Sequence, residues 1–235
     1  MKYPFYIRKF WCLYLLVGMI AIAVTVGADR AVTTIAENTP IEREQIIVID
    51  AGHGGEDGGA VSCSGALESH INLQIALRLN DLLHLLGYET IMIRSTDISV
   101  YTEGSTIAAR KVSDLKQRVR TVNQTKNAIL ISIHQNTFPD GKYSGAQVFY
   151  NQNVSAKELA ERMQQTFVTH LNIGSNRKSK QVNGVYLLQH ITQPGILVEC
   201  GFLSNWQEES LLRDAQYQRK VCCVIASSLC SYLST

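Results

Sequence analysis

Four side chains suited to metal-dependent hydrolysis are spread across the sequence. His53, His134 and Glu199 each follow or end a short apolar run, and Glu68 opens an amphipathic stretch. In an open α/β sheet, ligands bind beyond the carboxyl ends of the strands. We therefore expect these two histidines and two glutamates to meet at one edge of a sheet, although they are far apart along the chain.

The four residues match the ligand chemistry of zinc. Zinc binds imidazole nitrogen and carboxylate oxygen, and a catalytic zinc has three protein ligands and an open position for water. His53, Glu68 and His134 would supply such a set. Glu199 would then be free as the general base that takes a proton from the water and returns it to a leaving amine. The run before Glu199 should be buried, and an ionised carboxylate there needs a partner or a function.

Each of these residues also has a structural interpretation. A histidine at a strand end is commonly a surface or capped residue, and the glycines around His53 can serve only a tight turn. Glu68 can be a first-turn acid that the helix dipole favours. Asp57 can either orient the His53 ring through its second nitrogen or form a turn. The spacing alone leaves a metal hydrolase and these structural roles both open.

Short apolar runs alternate with amphipathic stretches in the part of the chain that carries these residues. The predicted strands are 46–50, 90–94, 128–134, 146–150, 184–189 and 195–200. The predicted helices are 68–86, 111–124, a helix opened by a capping box of Ser155 and Glu158, and one or two helices over 206–233. This alternation predicts an α/β fold, a single domain with a mostly parallel twisted sheet and helices on both faces.

The N-terminal 28 residues differ in composition from the rest. They contain three basic residues and no acidic residue, and the stretch 10–27 is uncharged. Basic residues before an apolar stretch of about 20 residues are typical of an export signal or a membrane anchor. The predicted organisation is a signal peptide or membrane anchor at 1–28, a linker at 29–44 and one catalytic domain at 45–235.

The charge distribution argues against nucleic acid as a partner. The chain has 22 basic and 20 acidic residues, a net charge of +2. The excess positive charge belongs to the N-terminal segment, because the other 207 residues carry 19 basic and 20 acidic residues. Proteins that bind nucleic acid normally present a strongly basic face. We therefore predict no nucleic-acid partner.

The cysteines show no regular spacing. Beyond the N-terminal segment there are five, an odd number, without a C-x-x-C pair for zinc or redox chemistry. Free cysteine is among the most buried residue types. We predict that these cysteines are small buried side chains, namely Cys63, Cys200, Cys222, Cys223 and Cys230.

The segments that carry the candidate residues resemble the zinc-dependent N-acetylmuramoyl-L-alanine amidases of the type 3 family. The resembling segments, in family order, are IVIDAGHGGEDGGAV (47–61), ESHINLQIALRL (68–79), TIMIRSTD (90–97), LKQRVRTVN (115–123), ISIHQN (131–136) and ILVECGFLSN (196–205). The insertion at 101–119, the chain length and the single N-terminal apolar segment are most similar to the germination-specific, sporulation-associated branch of the family.

The resemblance implies one Zn²⁺ ion bound by His53, Glu68 and His134, with Glu199 as the catalytic carboxylate. It also implies that the substrate is peptidoglycan, cleaved at the amide between the lactyl group of N-acetylmuramic acid and the L-Ala of the stem peptide. The expected location is the wall or spore-cortex side of the membrane, with a membrane contact through the N-terminal segment. A short amidase of this kind could also need an activating protein partner.

Two rival functions remain open at this point. One is another metal-dependent wall hydrolase, a peptidase or a deacetylase, and the other is a catalytically silent wall-binding module. Two further features are undecided. Arg94 and Arg118 recur in the family pattern and could be structural ion pairs or substrate contacts. The basic loop of Arg177, Lys178 and Lys180 could contact carboxylates of wall peptides or be a solvated surface loop.

Overall fold

The structure is a computed structural model that describes residues 45–234. The predicted signal or anchor at 1–28 and the predicted linker at 29–44 lie outside the described residues. Among the described helices, none combines the length and the apolar character needed to cross a membrane.

A six-stranded sheet forms the centre of the described domain, with the strand order β2-β1-β3-β6-β4-β5. The strands are β1 (Ile46–Ala51), β2 (Thr90–Met92), β3 (Ala128–Asn136), β4 (Gln147–Tyr150), β5 (Lys180–Gln181) and β6 (Gly195–Phe202). The pairs of β1 with β2, β1 with β3, β3 with β6 and β4 with β5 are parallel, and β4 runs antiparallel to β6. The predicted α/β fold with a mostly parallel sheet is confirmed.

Helices cover both faces of the sheet. They are α1 (Glu68–Leu85), α2 (Ile107–Gln124), α3 (Val154–His170), α4 (Tyr186–His190), α5 (Trp206–Arg213) and α6 (Ala215–Leu233). Apolar residues of α1, α3 and α6 pack with one set of strand side chains, which includes Ile49, Ile131 and Val198. Residues of α2 and α4 pack with the opposite set, which includes Val48 and Leu130. The β-branched runs are buried on both faces because each parallel strand lies between two helical layers.

The predicted strand at 184–189 is wrong. This segment contains α4, in which Leu187 and Leu188 are buried against the sheet. The ring of Tyr186 stacks on the ring of His190 with centroids 3.9 Å apart, an i, i+4 contact that helical geometry permits. A short apolar run does not distinguish a strand from a short buried helix.

The predicted capping box at Ser155 is also wrong. The N-cap lies two residues earlier, at Asn153, whose side chain accepts a hydrogen bond from the Ser155 backbone N–H at 3.0 Å, and helix α3 begins at Val154. Asparagine and serine are comparably good N-cap residues, so the residue types alone do not distinguish the two positions. Glu158 pairs with Arg162 instead.

The cysteine prediction is confirmed for two of the five residues. Cys200 and Cys222 are buried in the core, Cys63 and Cys230 are half-buried, and Cys223 is exposed. All five are free thiols in the structure.

Candidate metal centre

The structure brings three of the four predicted site residues into one cluster. His53 lies in the loop after β1, Glu68 is the first residue of α1, and His134 lies near the end of β3. One ligand atom from each residue lies within 4.8 Å of the others, in a group that could hold a metal ion. Residues 45–234 contain no other such group of three or more histidine, cysteine or acidic residues.

Glu68 is the centre of this cluster. Its Oε1 lies 3.0 Å from His134 Nδ1, and its Oε2 lies 3.3 Å from His53 Nε2. Burial by itself raises the pKa of Glu68, but the contacts with His134 and His53 hold it well below its ordinary value. Glu68 is therefore an ionised carboxylate between two imidazoles.

Two glycines provide the space for the cluster. A Cβ atom on Gly52 would lie 2.2 Å from His134 Nε2, and a Cβ on Gly59 would lie 2.6 Å from Glu68 Oε2. Gly59 also has a φ of +68°, a backbone conformation that favours glycine. These glycines therefore do more than form turns, because larger residues would overlap the predicted ligands.

His53 has a backbone conformation that is uncommon for a residue with a side chain. Its φ is +61°, in the left-handed region that residues with a side chain rarely adopt. Such conformations persist where surrounding contacts fix them, and they concentrate at functional sites. The strained backbone directs the His53 ring towards Glu68.

Asp57 contacts the second nitrogen of the His53 ring, as one of the two interpretations of this residue predicts. Its Oδ2 lies 2.9 Å from His53 Nδ1 and 3.2 Å from Lys111 Nζ. A carboxylate on the far nitrogen fixes the tautomer and orientation of a ligating histidine. His53 Nε2 is consequently the nitrogen that faces the cluster.

Glu199 lies beside the cluster on the neighbouring strand. It is paired with His134 in the register of β3 and β6. Its Oε2 is buried and has no hydrogen-bond partner among the described residues. Burial raises the pKa of Glu199 to about 7, with a further contribution from the negative charge of Glu68. A carboxyl group with these properties is suited to accept and donate a proton near neutral pH.

Arg94 is a structural residue. Its side chain is almost fully buried and donates hydrogen bonds to the backbone oxygens of Ala51, Gly52 and Ser69 at 2.7, 3.0 and 2.8 Å. These oxygens belong to the end of β1 and the start of α1. Arg94 therefore fixes the position of α1, which carries Glu68, relative to the strand that leads to His53.

Arg118 is structural as well. It forms buried ion pairs with Asp50 and Asp114 and donates a hydrogen bond to the backbone oxygen of His53 at 2.8 Å. The two aspartates hold the pKa of Arg118 above its ordinary value although burial opposes this. Arg118 therefore connects α2 to the strained His53 backbone.

Two polar residues around Glu68 were missing from the predicted site. Asn72 Nδ2 donates to Glu68 Oε1 and to the Gly52 oxygen, both at 3.2 Å, and the Gln135 backbone N–H donates to the same Glu68 oxygen at 3.2 Å. Asn72 could have been identified from its i, i+4 spacing to Glu68 on a helix. No comparable signal exists for a backbone N–H.

The cluster fits a zinc ion by the chemistry of its donors. Two imidazoles and one carboxylate are a combination found in catalytic zinc sites, and bonds of about 2.0–2.2 Å to zinc place neighbouring ligand atoms slightly more than 3 Å apart. The distances from the two Glu68 oxygens to the histidines, 3.0 Å for Oε1 and 3.3 Å for Oε2, are close to that spacing, and one ligand atom from each of the three residues lies within 4.8 Å of the others. Glu199 adds a carboxyl group without a protein partner for Oε2 at the same position on the sheet edge.

Comparison with known proteins identifies relatives with this fold. The sequence profile of the N-acetylmuramoyl-L-alanine amidases matches residues 47–231. A germination-specific N-acetylmuramoyl-L-alanine amidase from Bacillus subtilis is 39% identical over 191 residues, which cover 81% of this chain and 80% of that protein.

Solved structures with the same fold include two amidases. The CwlD amidase from Clostridioides difficile, in complex with the GerS lipoprotein, has a TM-score of 0.77 and 37% identity over 80% of this chain and 98% of its own. The catalytic domain of the amidase CwlV from Bacillus (Paenibacillus) polymyxa has a TM-score of 0.68 and 30% identity over 81% of this chain and 98% of its own. The family resemblance inferred from the motifs is thereby confirmed, and the chain belongs to the N-acetylmuramoyl-L-alanine amidase family.

Proposed function

We propose that this protein hydrolyses the amide between the lactyl group of N-acetylmuramic acid and the L-Ala of the stem peptide, with Glu199 as the proton-transfer residue. The observation that carries the proposal is the environment of Glu199. Its Oε2 is buried without a partner, its pKa is raised to about 7, and it lies opposite His134 in the sheet register. Buried polar atoms without a partner are uncommon in folded proteins, and a role in proton transfer explains this one.

His53, Glu68 and His134 are the proposed ligands of one zinc ion. A bound zinc would supply Lewis-acid polarisation of the substrate carbonyl and would lower the pKa of a water molecule. Two of the three proposed ligands are held by neighbouring side chains, His53 by Asp57 and Glu68 by Asn72. Such preorganisation reduces the reorganisation needed during the reaction.

Glu199 has two tasks in this mechanism. It accepts a proton from the attacking water, whose oxygen forms a bond to the lactyl carbonyl carbon. It then donates the same proton to the L-Ala nitrogen as the carbon–nitrogen bond breaks. The products are a free lactyl carboxyl group and a peptide that begins with L-Ala, so Glu199 returns to its initial protonation state.

The proposed setting is the spore cortex. The relatives include a protein named as germination-specific and an amidase solved with a lipoprotein. We extend both features to this chain as proposals: a role in spore cortex maturation, and activation by a protein partner. The proposed N-terminal export signal or anchor at 1–28 and linker at 29–44 would place the catalytic domain on the wall side of the membrane.

The experiment is digestion of purified peptidoglycan with the zinc-loaded full-length protein and with Glu199→Gln. The wild type should release peptides that begin with L-Ala, detected by mass spectrometry. Glu199→Gln should lose activity by at least about a hundredfold, because general acid–base catalysis contributes roughly 10²–10⁴-fold. It should still bind one zinc per chain by elemental analysis.

The products distinguish the proposal from its rivals. Released acetate would identify a deacetylase, and peptides cut within the stem would identify a peptidase. Binding to wall material without any soluble product would indicate a silent binding module. Near-normal activity of Glu199→Gln would show that Glu199 does not transfer the proton.

A further inference from the structure

One arginine of the basic loop lies at the same edge of the sheet as the metal centre. Arg177 precedes β5, which runs parallel to β4, and β4 runs antiparallel to β6. Residues directly before β4 and β5 therefore lie at the edge where β6 ends. This is the edge that carries Glu199.

The guanidinium of Arg177 is held in a defined position. Its Nη2 and Nε donate to the Ser144 backbone oxygen at 3.0 and 3.2 Å, and its Nη1 lies 3.5 Å from Gln147 Oε1. Its central carbon lies 5.1 Å from the centroid of the Phe202 ring. The side chain is half-buried, so it differs from the exposed Lys178 next to it.

These contacts place Arg177 one residue away from the catalytic carboxylate proposed above, beside its neighbour Gln147. Gln147 is the direct partner of Glu199 in the register of β4 and β6, and Phe202 follows Glu199 by three residues. In an antiparallel pair the side chains of opposite residues extend from the same face of the sheet. Arg177 therefore contacts the residue that neighbours Glu199 on that face.

Arg177 forms no direct ion pair in the described part of the chain, and the acid whose charge it senses, Glu208, has its oxygens occupied by the backbone N–H groups of Gly145 and Phe202. The hydrogen bonds of Arg177 in this part go to neutral oxygens of Ser144 and Gln147, and no carboxylate lies within 4.0 Å. Arginine has five N–H donors in a planar fork that fits a carboxylate in two-point contact. A half-buried guanidinium with a fixed orientation and no directly paired carboxylate can provide such a contact to a ligand.

We propose that Arg177 binds a carboxylate of the stem peptide and makes the enzyme selective for stems with free carboxyl groups. The inference rests on the proposed function, because it takes the substrate from it. The lactyl carboxyl group is already part of the scissile amide, so the substrate's remaining carboxylates belong to the stem peptide. Arg177 is thus a specificity residue that holds the peptide on the leaving-amine side of the cleaved bond.

The test uses two muropeptides with the same glycan and stem sequence, one with free stem carboxyl groups and one with these groups amidated. Full-length wild type, Arg177→Gln, Arg177→Lys and the neighbouring control Lys178→Gln are compared in steady-state kinetics. We expect the wild type to prefer the free-carboxyl substrate by about tenfold in KM with little change in kcat, since the contact is made equally in the ground and transition states.

Arg177→Gln should reduce this preference to about one, Arg177→Lys should retain part of it, and Lys178→Gln should leave it unchanged. The ratio of the KM values for the two substrates is measured in one preparation of each variant, so a loss of folded protein does not alter this ratio. An unchanged preference in Arg177→Gln would overturn the proposal. An equal loss of the preference in Lys178→Gln would also overturn the proposal, because the preference would then depend on the total positive charge of the loop and not on Arg177 itself.

Failure of the proposed function would give a different result. A wild type that cleaves neither substrate would contradict amidase activity of the chain without its proposed protein partner, and the carboxylate site would then be tested by a binding measurement. In that case, titration calorimetry with the free tripeptide of the stem compares wild type and Arg177→Gln. Binding weakened about tenfold in the variant supports the site, and equal binding overturns it.

Discussion

The two glutamates of the site have opposite electrostatic environments. Both oxygens of Glu68 contact a histidine, and its pKa is held below the ordinary value. Glu199 has a buried oxygen without a partner, and burial raises its pKa to about 7. Pairs of carboxyl groups whose surroundings separate their pKa values in this way commonly divide into an ionised group and a proton carrier. The different roles proposed for Glu68 and Glu199 follow from this difference.

The raised pKa of Glu199 gives a stability prediction for the metal-free protein. Its pKa in the folded state, about 7, is above the ordinary value of 4.5, so the folded state holds a proton that the unfolded state releases. The contribution of protonated Glu199 to the unfolding free energy is complete below pH 4.5 and is lost as the pH rises through 7. Relative to Glu199→Gln, the wild type should lose about 1.4 kcal/mol of unfolding free energy per pH unit in this window. Urea unfolding of both chelator-treated proteins between pH 4.5 and 8 measures this loss. A difference in unfolding free energy between wild type and Glu199→Gln that stays constant with pH would contradict the prediction.

Asp57 should matter for metal affinity because it holds the His53 ring through Nδ1. Asp57→Ala should weaken zinc binding by roughly 10–100-fold, the effect typical of losing a partner of a ligating histidine. The matched control is Glu56→Gln, since Glu56 is the neighbouring acid and pairs with Arg110 at the surface. Competition with a chelating dye gives both affinities. Equal affinities for Asp57→Ala and the wild type would show that His53 does not need this contact.

At the scale of secondary structure, α2 is the element that fixes the His53 loop. Arg118 reaches from this helix to Asp50 on β1 and to the His53 backbone oxygen, and Lys111 on the same helix contacts Asp57. The buried ion pair by itself is weak evidence for stability, because desolvation offsets much of the attraction. Its position indicates that it holds the loop in the geometry that the site requires.

Removal of Arg118 should therefore destabilise the domain strongly. Arg118→Met leaves Asp50 as a buried carboxylate without its cation, which costs about 3–5 kcal/mol of unfolding free energy. Arg120→Met is the control on the same helix, because Arg120 is exposed and bonds only Gln117 in the described structure. That variant should change stability by less than about 1 kcal/mol. Urea unfolding of both proteins tests this, and equal midpoints would contradict a structural role for the buried pair.

At the scale of the whole domain, the site depends on the tertiary fold. Its proposed ligands come from the loop after β1, from the first residue of α1 and from β3, and the proton-transfer residue comes from β6. The parallel order of β1, β3 and β6 places all of these positions at one edge. Unfolding would separate the ligands, so an ion bound to them stabilises the folded state by mass action.

Zinc should consequently raise the thermal stability of the chelator-treated protein. At a free zinc concentration about 100 times its dissociation constant, the gain in unfolding free energy is about 2.7 kcal/mol. His134→Ala, which removes one proposed ligand, should show little or no increase under the same conditions. Differential scanning calorimetry with and without zinc measures the shift. An equal shift in His134→Ala and the wild type would exclude His134 from the ligand set.

The sequence predicted most of the sheet and the residues that the fold brings together in the candidate site, but not the residues that support them. β-Branched runs identified β1, β3 and β6, and the rule that ligands bind at strand ends selected the histidines and glutamates. The functions of Arg94 and Arg118 could not be predicted, because each depends on backbone oxygens or acids that are remote in sequence. The segment 184–189 was predicted as a strand because a short apolar run has no decisive period.

The sequence by itself determined the family and the α/β class and proposed four candidate site residues, because these depend on residue type, local periodicity and motif order. Only the tertiary structure decided the distances between Glu68 and the two histidines, the left-handed backbone of His53 and the lack of a partner for Glu199 Oε2. It also placed Arg177 beside Gln147, opposite Glu199. The physical reason is that burial and hydrogen bonding depend on contacts between segments, and these contacts exist only once the sheet and its helices have packed.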